Sequence, residues 1–169
     1  MECCSVVEVT IRPASEQDDA ALRAIDQATW SWDVSPAPRP PPDRSFFRPG
    51  VRPQDVLVAV IENAVAGYVR LVPATGLDSS RHVLSITGLA VDPARHREGI
   101  GRLLLAAAAQ EASVRGARRL TLRVLAPNVA ARALYESCGF EVEGCLRKEF
   151  LLEGRYVDDV LMALDLEID

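Results

Sequence analysis

Leu89-Ala90-Val91-Asp92-Pro93-Ala94-Arg95-His96-Arg97-Glu98-Gly99-Ile100-Gly101-Arg102-Leu103-Leu104 is the stretch that decides the fold. An apolar strand runs into Pro93, a turn follows, and a helix begins whose apolar residues Leu103, Leu104, Ala107 and Ala108 share one face. Gly99 and Gly101 at the junction let the backbone approach a bulky ligand. The helix start leaves N–H groups without intrahelical partners and carries partial positive charge, which together suit a phosphate. No Gly-Lys-Ser/Thr follows, so this is not the nucleotide-triphosphate loop, and a third glycine is missing for the dinucleotide fingerprint. Two glycines at a helix start also fit an ordinary strand-to-helix turn.

Working outward, residues 6–11 alternate and are β-branched, which predicts a strand. Ser15 and Asp18 fit a capping box, and Leu22 and Ile25 recur at helical spacing, predicting a helix over 16–28. Residues 30–53 contain seven prolines and read as an irregular segment, a mobile loop or lid with a short helix. Strands are predicted over 56–61 and 65–72 around a turn at Asn63 and Ala64, then over 83–91. A helix over 100–114 is stopped by Gly116, and a strand follows over 120–125. Asn128 caps a helix running to about Cys138 with Gly139 beyond it, and 140–146 and 156–166 close the chain as strands. The elements predict an α/β (α+β) domain spanning 1–169, a mixed sheet of about seven strands flanked by helices on both faces.

The chain has 169 residues, 49% hydrophobic and 25% charged, enough for one cored domain. A net charge of −5 argues against general nucleic-acid binding. No apolar run spans a bilayer and no secretory pattern opens the chain, so the expectation is no membrane partner and a cytoplasmic setting. Cys3, Cys4, Cys138 and Cys145 form no CxxC pair, and His82 and His96 are the only histidines, so no metal site is expected.

Taken with its surroundings, the glycine loop resembles the coenzyme A signature of the GNAT superfamily of N-acetyltransferases, Arg/Gln-x-x-Gly-x-Gly/Ala after a strand ending in Val-x-Pro. Here it reads His96-Arg97-Glu98-Gly99-Ile100-Gly101 after Val91-Asp92-Pro93, with His96 where Arg or Gln is usual. Asn128-Val129-Ala130-Ala131-Arg132-Ala133-Leu134-Tyr135-Glu136-Ser137-Cys138-Gly139-Phe140 resembles the family's Asn-x-x-Ala-x-x-Leu-Tyr-x-x-x-Gly-Phe element. Residues 144–166 resemble the ending shared by acetyltransferases of small molecules and of protein N-termini.

The resemblance implies a mostly antiparallel sheet with a splay between two strands that hold acetyl-CoA. It places pyrophosphate on the N–H groups of Arg97, Glu98, Gly99, Ile100, Gly101 and Arg102, with His96 beside them. It lays the pantetheine arm along Leu89, Ala90 and Val91, with Asn128 and Ala131 nearby. The Val91 N–H would support the oxyanion, and Tyr135 would give a proton to the departing sulfur. Candidates for the general base are Asp33, Glu149 and Asp158. Trp30, Trp32 and Asp33 are candidates for holding a cationic acceptor, although such aromatics also serve simply to anchor a loop. The resemblance does not choose the acceptor; the leading expectation is a small-molecule amine. A protein N-terminus or lysine is the near alternative, and a non-catalytic acyl-CoA sensor a more distant one. Dimerisation is common in the family.

Overall fold

The computed structural model describes residues 8–166. Cys3, Cys4 and the first part of the strand predicted over 6–11 lie outside them, and β1 spans Thr10–Pro13. The predicted first helix divides into a single 3-10 turn, Glu16–Asp18, and α1, Asp19–Thr29. The remaining elements are β2 Val56–Ile61, β3 Ala64–Pro73, β4 Val83–Val91, α2 Ile100–Val114, β5 Arg119–Leu125, α3 Val129–Ser137, β6 Glu141–Leu152 and β7 Arg155–Asp165. The hairpin between β2 and β3 turns one residue earlier than predicted, at Glu62 and Asn63, both with positive φ. No helix forms within 30–52. β6 runs on to Leu152, past the predicted 140–146, through the polar run Arg147-Lys148-Glu149 that breaks its apolar pattern, while β7 matches the predicted 156–166 to within one residue.

Among the described residues the seven strands lie in the order β1-β2-β3-β4-β5-β7-β6. Every neighbouring pair is antiparallel except β4 and β5. α2 supplies the crossover that a parallel pair requires. Helices cover both faces, as predicted. On one face Ile100, Leu104, Leu105, Ala108 and Ala112 of α2 and Tyr135 of α3 pack on Leu57, Leu71, Leu84, Ile86, Leu120, Leu122 and Met162. On the other, Leu22 and Ile25 of α1 pack with Phe46, Phe47, Val51, Val56, Val58 and Tyr68. β2 thus sends Leu57, Ala59 and Ile61 to one core and Val56 and Val58 to the other, the period of two expected of a sheet covered on both sides.

The irregular segment is held down along its length. Arg39 donates to the Gln27 side chain at 3.1 Å, the Gln27 amide donates to the Pro40 carbonyl, and Asp19 accepts from Ser45 at 2.8 Å and from the Phe47 N–H at 2.9 Å. Phe46 and Phe47 then enter the α1-side core.

At the start of α1 the Asp18 carboxylate accepts from the Ser15 N–H at 2.8 Å and forms a two-point pair with Arg12, both contacts 2.8 Å. The Arg12 guanidinium, acting first through these hydrogen bonds, holds the buried Asp18 carboxyl down to about 2. Because the folded value lies below the ordinary 3.8, the stabilisation is present above that pH and is lost as pH falls toward 2. Arg12 is partly solvated, so the effect is about 1 kcal/mol. Asp18→Asn should lower unfolding stability by about that amount at pH 7 in urea. The gap between variant and wild type should close below the native carboxyl's midpoint.

Candidate active site

β4 and β5 pair over Val83↔Arg119 to Ile86↔Leu122 and then part. β4 continues beside β3 to Gly67↔Val91, and β5 continues beside β7 to Leu125↔Asp159. The parting coincides with a bulge. Arg70 pairs with Gly88 and Leu71 with Ile86, leaving Thr87 as an extra residue in β4. A bulge bends its strand and increases local twist, so β4 turns away from β5 at Thr87 and a wedge opens.

The Asp92 N–H donates to the Ala66 carbonyl at 2.8 Å. Backbone groups alternate in direction along an antiparallel pair, so the N–H and carbonyl of Ala90 also turn toward β3, while those of Leu89 and Val91 turn into the wedge. Gly67 reports the same orientation, since a Cβ there would lie 2.8 Å from the Ala90 carbonyl oxygen.

The turn after β4 is tied to the strand by His96, whose Nε2 lies 3.1 Å from the Val91 carbonyl oxygen. A carbonyl can only accept, so Nε2 carries the proton. His96 therefore braces the loop against the strand end. Arg97 and Gly99 both have positive φ, 68° and 79°. The helical ladder starts with the Leu103 N–H donating to the Gly99 carbonyl at 3.1 Å. The N–H groups of Gly99, Ile100, Gly101 and Arg102 lie ahead of that first bond and have no intrahelical acceptor. Gly101 has a packing role as well: a Cβ there would sit 3.0 Å from Leu134 Cδ2. Its absence brings α2 against α3.

α3 follows β5 and meets α2 at its C-terminal end. Asn128 caps the helix, its side chain accepting from the Ala131 N–H at 3.1 Å. Arg102 reaches from α2 to the Ser137 carbonyl and hydroxyl, each at 3.1 Å. Tyr135 is buried at 8% exposure with its ring centre 5.9 Å from that of Phe140. Burial pushes its hydroxyl up to about 12. Among the described residues that hydroxyl has no hydrogen-bond partner within the chain.

The structure separates the remaining candidates. Trp30 donates to the Ala37 carbonyl at 3.0 Å and stacks edge-on with Trp32, centroids 4.9 Å apart. Trp32 packs against the cluster of Leu125, Leu152 and Val157. Both tryptophans therefore anchor the segment, and Asp33 is exposed. Asp158 accepts from the Lys148 N–H at 2.7 Å and closes the wide bulge in β6. Glu149 lies 3.4 Å from Arg123, which also pairs with the buried Asp159. The structure thus gives Asp158 and Glu149 structural partners. The sequence reading missed Asp26, half-buried on α1 and bonded to the Tyr68 hydroxyl. Burial raises the Asp26 carboxyl above its ordinary range, and burial together with Asp26 raises Tyr68 well above its own. No spacing rule links residues 26 and 68; only the packing of α1 on β3 does.

Among the described residues no three His, Cys, Asp or Glu side chains gather as a metal site, and no helix is long and apolar enough to cross a membrane.

A strand order with one parallel pair that splays beside a glycine-bearing helix start is the arrangement the sequence resemblance led us to expect. Residues 20–140 match the model of the acetyltransferase (GNAT) family, and the chain belongs to that family. Over 86 residues it is 41% identical to the [ribosomal protein bS18]-alanine N-acetyltransferase of Escherichia coli, covering 50% of this chain and 57% of the relative. The chain thus matches little more than half the length of that relative. It is 29% identical over 162 residues to the L-amino acid N-acetyltransferase AaaT of the same organism, covering 92% of this chain and 97% of that protein. Among solved structures, smu.2055 from Streptococcus mutans superposes with a TM-score of 0.82 at 29% identity, covering 94% and 99% of the two chains. A putative acetyltransferase from Salmonella typhimurium with acetyl-CoA superposes at 0.81 with 24% identity, covering 96% of each, a likeness of fold.

Gly99 has open space around it but a φ of 79°. Gly99→Ala should therefore cost about 1–2 kcal/mol in urea unfolding through backbone strain. Gly76→Ala, with open space and no left-handed φ, should stay within about 0.5 kcal/mol of wild type.

Proposed function

We propose that this chain is an acetyl-CoA-dependent N-acetyltransferase acting on the primary amine of a small molecule. The observation that carries the reading is the wedge after Thr87, where the backbone groups of Leu89 and Val91 face a gap bordered by a helix start with free N–H groups.

In this reading the N–H groups from Arg97 to Arg102 take the pyrophosphate, and the α2 dipole adds to the attraction. The pantetheine arm runs along Leu89, Ala90 and Val91, with the Leu89 N–H and carbonyl facing it as a neighbouring strand's would, and with Asn128 and Ala131 at the start of α3 beside it. His96 acts by bracing the loop, which explains how the family's usual Arg or Gln can be replaced. The acceptor nitrogen bonds to the acetyl carbon, the carbon–sulfur bond breaks, the nitrogen gives up a proton to water, and the released thiolate takes one up to leave as the coenzyme A thiol. The Val91 N–H stabilises negative charge on the carbonyl oxygen. The Tyr135 hydroxyl, held protonated at neutral pH, donates to the departing sulfur. A thiol has a pKa of about 8.5, so full transfer from a tyrosine near 12 is uphill. Tyr135 therefore works chiefly as a hydrogen-bond donor while charge builds on sulfur.

The match along nearly the whole chain to an L-amino acid N-acetyltransferase supports a small acceptor. So does the segment pinned over the α1 side of the sheet, which narrows access there. The higher identity over half the chain to acetyltransferases of a ribosomal protein's N-terminal alanine favours a second reading, a peptide N-terminus as acceptor.

Calorimetry with acetyl-CoA should give micromolar binding, about −8 kcal/mol, lost in Gly99→Glu. Tyr135→Phe should keep that binding and lower kcat about 100-fold in a thiol-release assay. Micromolar binding without turnover of any amine or peptide would instead indicate a sensor.

A further inference from the structure

We propose that Arg70, assisted by Arg48, receives a carboxylate of the acceptor, so that the substrate is an amine that also carries an acid, as an α-amino acid does. This rests on the acetyltransferase reading and deepens it.

The first observation is place. Arg70 pairs with Gly88, the first residue of β4 beyond the Thr87 bulge. A Cβ on Gly88 would lie 3.7 Å from the Arg70 Cβ and 3.6 Å from the Tyr68 hydroxyl. The missing side chain lets the Tyr68 ring lie over Gly88, 3.2 Å from where that Cβ would be, and Arg70 stands beside it on the same face of β3, next to the residue where β4 has left β5.

The second observation is charge. Within a chain of net charge −5, Arg44, Arg48 and Arg70 gather here. Burial lowers the Arg48 guanidinium, and the like charges of Arg44 and Arg70 lower it further. The acid facing this group is Asp26, already engaged by the Tyr68 hydroxyl. Packing alone gives no reason to concentrate cations beside β4.

The third observation is availability. Arg70 Nη2 donates to the Gly50 carbonyl, and Arg48 Nη1 donates to the Phe46 carbonyl at 2.7 Å. Among the described residues neither guanidinium is paired with a carboxylate. A guanidinium presents parallel N–H groups that match a carboxylate at two points, so an incoming acid would displace a neutral carbonyl and no ion pair.

The test is a matched panel of L-amino acids and their C-terminal amides, assayed by thiol release with acetyl-CoA. Wild type should prefer the acids at least 10-fold in kcat/KM. Arg70→Gln should raise KM for the acids at least 10-fold, leave the amides and the KM for acetyl-CoA unchanged, and so erase the preference. Arg70→Lys should restore part of it. If Arg70→Gln melts well below wild type, Arg48→Gln and the wild-type preference decide the question. Equal use of acids and amides, or turnover of peptides alone, would overturn this inference and leave the acetyltransferase reading standing. Failure to bind acetyl-CoA would instead overturn the reading beneath it.

Discussion

The parting of β4 from β5 is the constraint on which the rest depends. A parallel pair that stayed together to its ends would satisfy the backbone groups of Leu89 and Val91 internally and leave nothing for a ligand. The extra residue at Thr87 prevents this while β3 and β7 keep the outer sides of both strands paired. The sheet therefore stays continuous at one end and opens at the other. The exposed hydrogen-bonding groups belong to rigid strands, so their positions are set by the whole core. Gly67, which admits the Ala90 carbonyl at close range, and Leu104, fully buried beneath it, belong to the same arrangement.

At the start of α2 the chain supplies directional groups more than charge. In the proposed reading this loop would meet phosphate through backbone N–H groups, and most of its side chains are committed elsewhere: Ile100 to the core, Arg102 to Ser137, Glu98 to Arg95, His96 to Val91. Such a site would tolerate substitution at the first motif position, because main chain would meet the ligand. Tyr135 illustrates the complementary effect. Burial makes it a weak acid and a persistent donor, a combination suited to steadying a thiolate as it forms.

Much of this was legible in the residues. The boundaries of α2 and of β2 follow from apolar periodicity and from Gly116, which takes the positive φ that ends the helix. The glycine loop and the Asn128 cap were readable because each rests on local backbone chemistry. The Thr87 bulge was not, since an extra residue in a long apolar strand leaves the alternation of Ile86, Thr87 and Gly88 unremarkable. The tryptophans allowed two readings from sequence, a cation site or a loop anchor, because aromatic residues with a nearby acid suit either; in the fold Trp32 packs on Leu125, Leu152 and Val157. Asp26, Tyr68 and Arg70 were invisible because their relation exists only once α1 lies on β3.

Amide hydrogen exchange by NMR, with and without acetyl-CoA, tests the central claim most directly. The account predicts that ligand slows exchange at the Leu89 and Val91 amides and at the amides of Gly99 to Arg102, while Ala90, already bonded to β3, is unchanged. Protection at Ala90 alone, or at none of these amides under saturating ligand, would contradict it.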